Sequence, residues 1–356
     1  MLFLSIFILS FLQLIITLNA NNFQLIISSK EIVGKLIILI LLYISYSIIN
    51  MIINGCNIES FERLFQIMVC FSLLIYSSQH MWAENNLLLI YELIRIIVLL
   101  SLIFWPITGF ITNYYQSIYS FGNVFGSVLF NFIAVYFLIP RKFNKKDYLY
   151  IFLMFFFLLM ANSRSSIIAV VIFFIMRFIF AYFQKRNLRY KELFLIFMGL
   201  IVLVPFIYLY WFENSEIRIL LEELSRKYLR KNMFSGRQIL WSEIYLLILK
   251  KPWLGYGFDI TPEDIIGGSY SAHNWYMQIL LQSGIVGLFL LIVLFVIIWN
   301  ILYSYRENVI SRNTMAYLLA VMIWQCFEVS ITQNNLSTGL MVWLILGIGI
   351  SLSQNN

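Results

Sequence analysis

Apolar runs of about twenty residues recur along this chain with almost no charge inside them, and this limits its fold more than any other feature. Leu36 to Ile53, Leu87 to Trp105, Leu193 to Trp211 and Gly284 to Leu302 each match the roughly 20 residues needed to cross a hydrocarbon layer about 30 Å thick. Lipid offers backbone amides and carbonyls no partner, so each such run must be helical. A soluble domain cannot bury so much apolar surface: hydrophobic residues make up 62% of the 356 positions and charged residues 12%, against about 45 to 50% and about 25% in soluble domains.

Hydropathy places spans near residues 2–18, 33–54, 64–79, 87–105, 122–140, 148–162, 167–183, 192–212, 278–302, 314–333 and 337–353. The expected fold class is therefore all-α: a polytopic membrane helical bundle of about eleven spans, with ten to twelve compatible with the pattern. The first eighteen residues lack a basic segment and a small-residue cleavage site, and read as an uncleaved span. The net charge of +7 does not point to nucleic acid, because the basic residues sit in short clusters between spans. Arg141, Lys142, Lys145 and Lys146 form one cluster, Lys185, Arg186, Arg189 and Lys191 a second, and Arg306 and Arg312 a third. Parity puts all three on one side, which makes that side cytoplasmic. The amino terminus and the long hydrophilic segment, about residues 213–272, then fall outside, so the chain reads as a single membrane domain, 1–356, with one long extracytoplasmic loop inserted between spans.

That loop carries two helix signals. Ser215 can cap a helix with Ile217, Leu220, Leu221, Leu224 and Tyr228 on one face. Ser235-Gly236-Arg237-Gln238 opens a second, which runs through Trp241 and Ile244 until Pro252 stops it. Both read as short amphipathic helices lying on the membrane surface.

The chemistry-bearing candidates gather around the same loop. His273, in Ser271-Ala272-His273-Asn274-Trp275, stands where the loop re-enters the membrane. A titratable imidazole there suits general base work, although a packed or headgroup-facing histidine would look the same. Arg164 occupies the polar break Asn162 to Ser166 with no acidic residue beside it in the sequence. It fits an anion such as phosphate, or a side chain reaching to lipid headgroups. Arg237 is placed in the first turn of a helix, where backbone N–H groups attract an anion but a cation costs stability. Lys251-Pro252-Trp253-Leu254-Gly255-Tyr256-Gly257 is a breaker-rich turn. Glu92 and Arg95 are spaced to pair with each other, and Glu328 and Arg177 are ionisable residues within spans that pairing or snorkelling could explain. His80 reads as a loop residue on the opposite side. Cys56, Cys70 and Cys326 have no metal-type spacing, and no metal or cofactor is expected. No Asp-x-Asp pair is present among Asp147, Asp259 and Asp264, which disfavours a metal-dependent transferase using sugar nucleotides.

Taken together, Ser163-Arg164-Ser165, Gly236-Arg237 with Trp241, Pro252 to Gly257, Ala272-His273-Asn274 with Gln278-Ile279-Leu280, and Gly284-Ile285-Val286-Gly287 resemble the O-antigen ligase and O-antigen polymerase superfamily of lipid-linked oligosaccharide glycosyltransferases. The specific likeness covers roughly residues 120–350, with a weaker echo in Gly122-Asn123-Val124-Phe125-Gly126 and in Glu328 of the penultimate span. The resemblance implies a GT-C type fold and a catalytic outer loop in the cytoplasmic (inner) membrane. It assigns Arg164 and Arg237 to the donor pyrophosphate and His273 to the acceptor hydroxyl, with Asn274, Gly255 and Gly257 in support. The implied partners are an undecaprenyl-pyrophosphate-linked glycan donor, a glycan acceptor and membrane lipids, with a chain-length regulator as a further candidate. Polymerase of repeat units is the favoured activity, on the short chain, the compact loop and the Ile, Phe and Asn bias. A ligase moving finished polymer to lipid A core, and more remotely a flippase, are the alternatives.

Overall fold

The computed structural model describes residues 30–207, 216–229, 237–267, 271–333 and 336–354. Over these residues the chain forms thirteen helices: α1 (Lys30–Asn54), α2 (Ile58–Gln79), α3 (Glu84–Ile107), α4 (Gly122–Leu138), α5 (Lys145–Ala161), α6 (Arg164–Lys185), α7 (Leu193–Ile207), α8 (Glu216–Leu229), α9 (Arg237–Lys250), α10 (Pro262–Ile266), α11 (Trp275–Ser304), α12 (Val309–Trp324) and α13 (Leu336–Gln354). No strand is present among the described residues. The expected span at 2–18 and the cap residues Ser215, Ser235 and Gly236 lie outside them.

Among the described residues five helices are long and apolar enough to cross a membrane: Gly34–Asn54 of α1, then α3, α6, α11 and α13. Three shorter apolar helices, Gly122–Leu138, Leu193–Leu203 and Val309–Trp324, accompany them. The expected segments at 64–79 and 148–162 are helical too, but α2 includes Glu59, Glu62 and Arg63, and α5 starts with Lys145, Lys146 and Asp147. The window of α13 is 78% buried while that of α3 is 22% buried, so α13 is central and α3 lies at the rim. On the rim helices Ile38, Leu41, Ile52, Leu89, Ile103 and Phe178 are exposed. An apolar outer surface of this kind is stable only against lipid or a partner.

Side-chain bonds define the two ends of the bundle. At one end Asn313 of α12 donates to the carbonyls of Phe137 and Leu138 at 3.1 and 2.8 Å, and Trp299 donates to Lys191 O at 3.0 Å. Asn308 donates to Ser353 O at 3.2 Å, and Ser351 to His80 O at 2.6 Å. All three basic clusters and His80 therefore share this end. Arg177 is held here by Asn313 Oδ1 at 2.9 Å and lies over the ring of Phe137, a packing role. At the other end Asn57 and Ser60 donate to Asp259 at 2.7 and 3.0 Å.

The expected Glu92–Arg95 pair forms, and it belongs to a larger cluster at the basic end. Asp147 Oδ1 accepts from Arg95 at 2.8 Å and from Arg141 at 2.9 Å, while Oδ2 accepts from the Asn144 amide at 3.0 Å in a capping box. Arg141 also lies over the ring of Tyr91 at 3.9 Å. Asp147 is fully buried and ties α3, α5 and the turn between α4 and α5 together. Asp147→Asn leaves two guanidiniums without their shared carboxylate, and is expected to cost about 3 kcal/mol. Thermal unfolding of the detergent-solubilised protein should show a midpoint several degrees lower than that of the unsubstituted protein.

The expected span 314–333 is corrected by the structure. Helix α12 stops at Trp324, and residues 325–333 run as a buried non-helical connection. Non-helical backbone at membrane depth is tolerated only inside protein or along a cavity. Here Gln325, Ser330, Thr332 and Gln333 are all buried and satisfied: Gln325 donates to Ser330 Oγ at 3.2 Å, and Gln333 exchanges amide hydrogen bonds with Gln282 at 2.9 and 3.0 Å.

Candidate active site

Four chain segments meet at the end of the bundle opposite the basic turns. The first is the start of α6. The sequence places Arg164 in a loop, whereas the structure makes it the first residue of the helix, with Ser163 as N-cap. Ser163, Ser165 and Ser166 are buried here, Ser163 and Ser166 within 2.9 Å of each other. Gly126 of α4 packs directly on this turn: a Cβ there would lie 2.4 Å from Ser163 Cβ. Arg164 itself is half-buried.

The second segment is α9, which begins at Arg237. The expected surface amphipathic helix is corrected in one respect: α9 buries Leu240, Trp241, Ile244 and Ile248 in the core while Ile239, Leu246 and Leu249 remain exposed. It is apolar on both sides and packs against α11. Trp241, one turn after Arg237, donates its indole N–H to Ala272 O at 2.8 Å. That bond fixes the third segment, residues 271–275. His273 has a left-handed backbone at φ 48°, uncommon for a residue with a side chain though tolerated by histidine more than by most. Asn274 then caps α11, accepting from Met277 N at 3.0 Å, and donates to Cys326 O at 3.2 Å. The Trp275 amide donates to Gln325 O at 2.9 Å. These two bonds bring in the fourth segment, whose Glu328 accepts a hydrogen bond from Ser165 at 3.2 Å. Three side-chain hydrogen bonds, Ser165–Glu328, Asn274–Cys326 and Trp241–Ala272, thus link the four segments.

Charge couples these groups. The guanidinium of Arg237 is held below its ordinary value by burial; Glu328 opposes that shift and the Arg164 cation adds to it. Burial lowers the His273 imidazole to about 4, with the Arg237 cation contributing. Burial raises the Glu328 carboxyl, against the pull of Arg237 and the Ser165 hydrogen bond. At neutral pH the site therefore holds two cations, a neutral imidazole and a carboxyl group. Among the described residues no group of three or more His, Cys, Asp or Glu stands together as a metal site.

The structure brings together Arg164, Arg237, His273 and Asn274 of the residues singled out from sequence. It adds Glu328, which the sequence reading left outside the site. Gly255 and Gly257 are not among them. They brace α11 further along: the amides of Tyr256 and Gly257 donate to Leu281 O and Gln282 O at 2.8 and 3.0 Å. Gln278 and Gln282, one and two turns beyond Asn274, both donate to Ile260 O, at 3.0 and 2.9 Å. The loop 253–260 is thereby fastened to the helix that carries Asn274 at its head.

Fold and site together define a class: an all-helical protein with lipid-compatible apolar helices and a half-buried, arginine-rich site beside a histidine at one end. Residues 149–292, less than half of the chain, match the family model described as O-antigen ligase. Over this segment, which holds Arg164, Arg237 and His273, the likeness to the O-antigen ligase and O-antigen polymerase superfamily is shown; Glu328 lies beyond it. No curated protein matches the chain well enough to count as a relative.

Proposed function

We propose that this protein polymerises glycan repeat units carried on undecaprenyl pyrophosphate, by inverting, metal-independent glycosyl transfer on the outer face of the cytoplasmic membrane. The observation that carries this reading is the meeting of the heads of α6 and α9 with the His273 segment, tied by hydrogen bonds, at the end of the bundle opposite the three basic turns. Basic turns mark the cytoplasmic side, so the site faces outward, with residues 213–272 as its loop.

In this reading Arg164 and Arg237 bind the donor pyrophosphate. An acceptor hydroxyl oxygen attacks the anomeric carbon as the bond from that carbon to the pyrophosphate oxygen breaks. The hydroxyl proton passes to the neutral His273, and undecaprenyl pyrophosphate leaves with the bonding electrons. Negative charge grows on the leaving group, and two positioned guanidiniums stabilise it without a metal ion. A single displacement inverts the anomeric centre.

The description of the matched family supports a second reading, a ligase that moves finished polymer to lipid A core; the motifs serve either. Purified protein in detergent, given lipid-linked repeat units and a chelator, is expected to lengthen them. Absence of elongation with transfer to lipid A core intact would favour the ligase, and a flippase would do neither. In cells, loss of a polymerase leaves single repeat units on the acceptor, whereas loss of a ligase leaves the acceptor bare.

A further inference from the structure

We propose that Glu328 is an internal counter-anion of the two-arginine site: its carboxylate balances the guanidiniums while the site is empty, and it is neutralised by a proton when a pyrophosphate-bearing donor takes over that balancing. The inference rests on the phosphate-binding reading of Arg164 and Arg237 and assigns the site its empty-state chemistry.

Geometry carries it. Glu328 lies in the buried connection between α12 and α13, which is pinned to the head of α11 by the Asn274–Cys326 and Trp275–Gln325 bonds. That framework fixes the backbone that carries Glu328, two residues beyond Cys326. Its Oε1 accepts from Ser165, the residue next to Arg164, and its charge acts on Arg237. Two partly desolvated cations held close together need a counter-charge, and Glu328 is the acidic group coupled to Arg237 and hydrogen-bonded beside Arg164.

A carboxylate in that place conflicts with the proposed ligand. A pyrophosphate between the same guanidiniums sets negative charge beside negative charge, which disfavours ionised Glu328. The charged and titratable groups around it are Arg164 at the head of α6, Arg237 at the head of α9, and His273, which is coupled to Arg237. Burial already raises the Glu328 carboxyl, so it needs little further push to take a proton from solvent. When the anionic product leaves, the proton is returned and the carboxylate again faces the arginines. Donor entry and product exit are then each coupled to one proton, and the empty site never presents two uncompensated cations to the lipid headgroups around it.

The test is binding of inorganic pyrophosphate to the full-length protein in lipid nanodiscs, followed by calorimetry as a function of pH. Glu328→Gln is expected to bind at least about tenfold more tightly than wild type near neutral pH, where an adjacent unit charge matters that much. The gap should close as pH falls, because wild-type Glu328 then becomes neutral. Comparison with the variant at each pH cancels the titration of pyrophosphate itself. Glu328→Asp, which keeps the charge, should behave as wild type. If the amide variant does not fold, Glu328→Ser carries the same expectation of tighter binding. Equal or weaker binding by the neutral variants, with binding still abolished by Arg237→Ala, would overturn the counter-anion while leaving the phosphate site standing. Binding that survives Arg237→Ala overturns the site reading and this inference together.

Discussion

Arg237→Ala is expected to lower the rate of repeat-unit elongation by about 10³-fold, while the protein remains folded in the membrane. Removal of a preorganised group that stabilises transition-state charge costs about 10² to 10³ in rate, and a guanidinium aimed at a departing phosphate sits at the upper end or above. The fold does not depend on it: α9 is anchored by Leu240, Trp241, Ile244 and Ile248, and the Trp241–Ala272 bond is untouched. Arg237→Lys should recover only part of the rate, since an ammonium cannot make the paired contacts of a guanidinium. His273→Ala should cost about 10² to 10⁴, the usual contribution of a general base. The acid limb of kcat/KM offers a finer check. His273 must be neutral to accept a proton, and with its value lowered to about 4 it stays neutral until pH falls through that range, well below the ordinary 6.5 or so. Loss of the Arg237 charge lifts the imidazole, so nuclear magnetic resonance titration of His273 in Arg237→Gln should show a higher midpoint than wild type. Bound pyrophosphate also screens Arg237, which makes His273 a stronger base when a donor is present. Elongation at the wild-type rate by Arg237→Ala or His273→Ala would end the proposed mechanism.

The helical membrane character was legible because lipid imposes one rule on every span, and apolar length reports it. The arginines and the histidine were legible for a local reason: each is a polar residue at the edge of an apolar run, where neighbours in sequence already mark a helix start or a re-entry. Glu328 was legible only as a weak echo of the family and not as a site residue, because its partners Ser165 and Arg237 are 163 and 91 positions away and no local pattern links them. Averaged hydropathy concealed the end of α12 for a related reason. Val329 and Ile331 keep the average high across a connection whose Gln325, Ser330 and Gln333 are satisfied by tertiary hydrogen bonds. The amphipathic reading of α9 gave way to tertiary packing, which no single-helix pattern contains: α11 covers one apolar side and leaves the other exposed. Gly255 and Gly257 were read as supporting the site; their effect is on the placement of α11, well along the helix from His273.

Gly284→Ala and Gly255→Ala are expected to deprive the membrane of folded protein altogether. Helix α11 is interrupted at Gly284, where φ is 61° and ψ is −166°, a region that essentially only glycine adopts, at a cost of about 1 to 3 kcal/mol for another residue. Space forbids a side chain as firmly as the dihedrals do. A Cβ on Gly284 would lie 2.3 Å from the carbonyl carbon and oxygen of Trp253, and one on Gly255 (φ 68°) would lie 2.5 Å from the carbonyl carbon of Gln282. The clashing atoms are backbone, so no rotamer change relieves them. The two glycines interlock because the loop supplies what the broken helix lacks. Ile285 N donates to Pro252 O at 2.8 Å and Val286 N to Trp253 O at 3.3 Å, while Tyr256 and Gly257 return two amides to Leu281 and Gln282. Separating the loop from α11 would leave all these groups without their partners, and each one that stayed buried and unsatisfied would cost about 1 to 3 kcal/mol. The Gln278 and Gln282 bonds to Ile260 would be lost with them, and with Gln282 goes the Gln333 pair that holds the connection bearing Glu328. Gly199→Ala is the control. Gly199 is an exposed residue inside α7 whose Cβ meets nothing within 4 Å, and alanine there should be neutral or stabilise by up to about 1 kcal/mol. Size-exclusion profiles of fluorescently tagged, solubilised protein separate the cases: a monodisperse peak for Gly199→Ala, and aggregate or no protein for the other two. A wild-type profile for Gly284→Ala would mean that α11 runs unbroken through this position, and the docked loop would then have to be rebuilt.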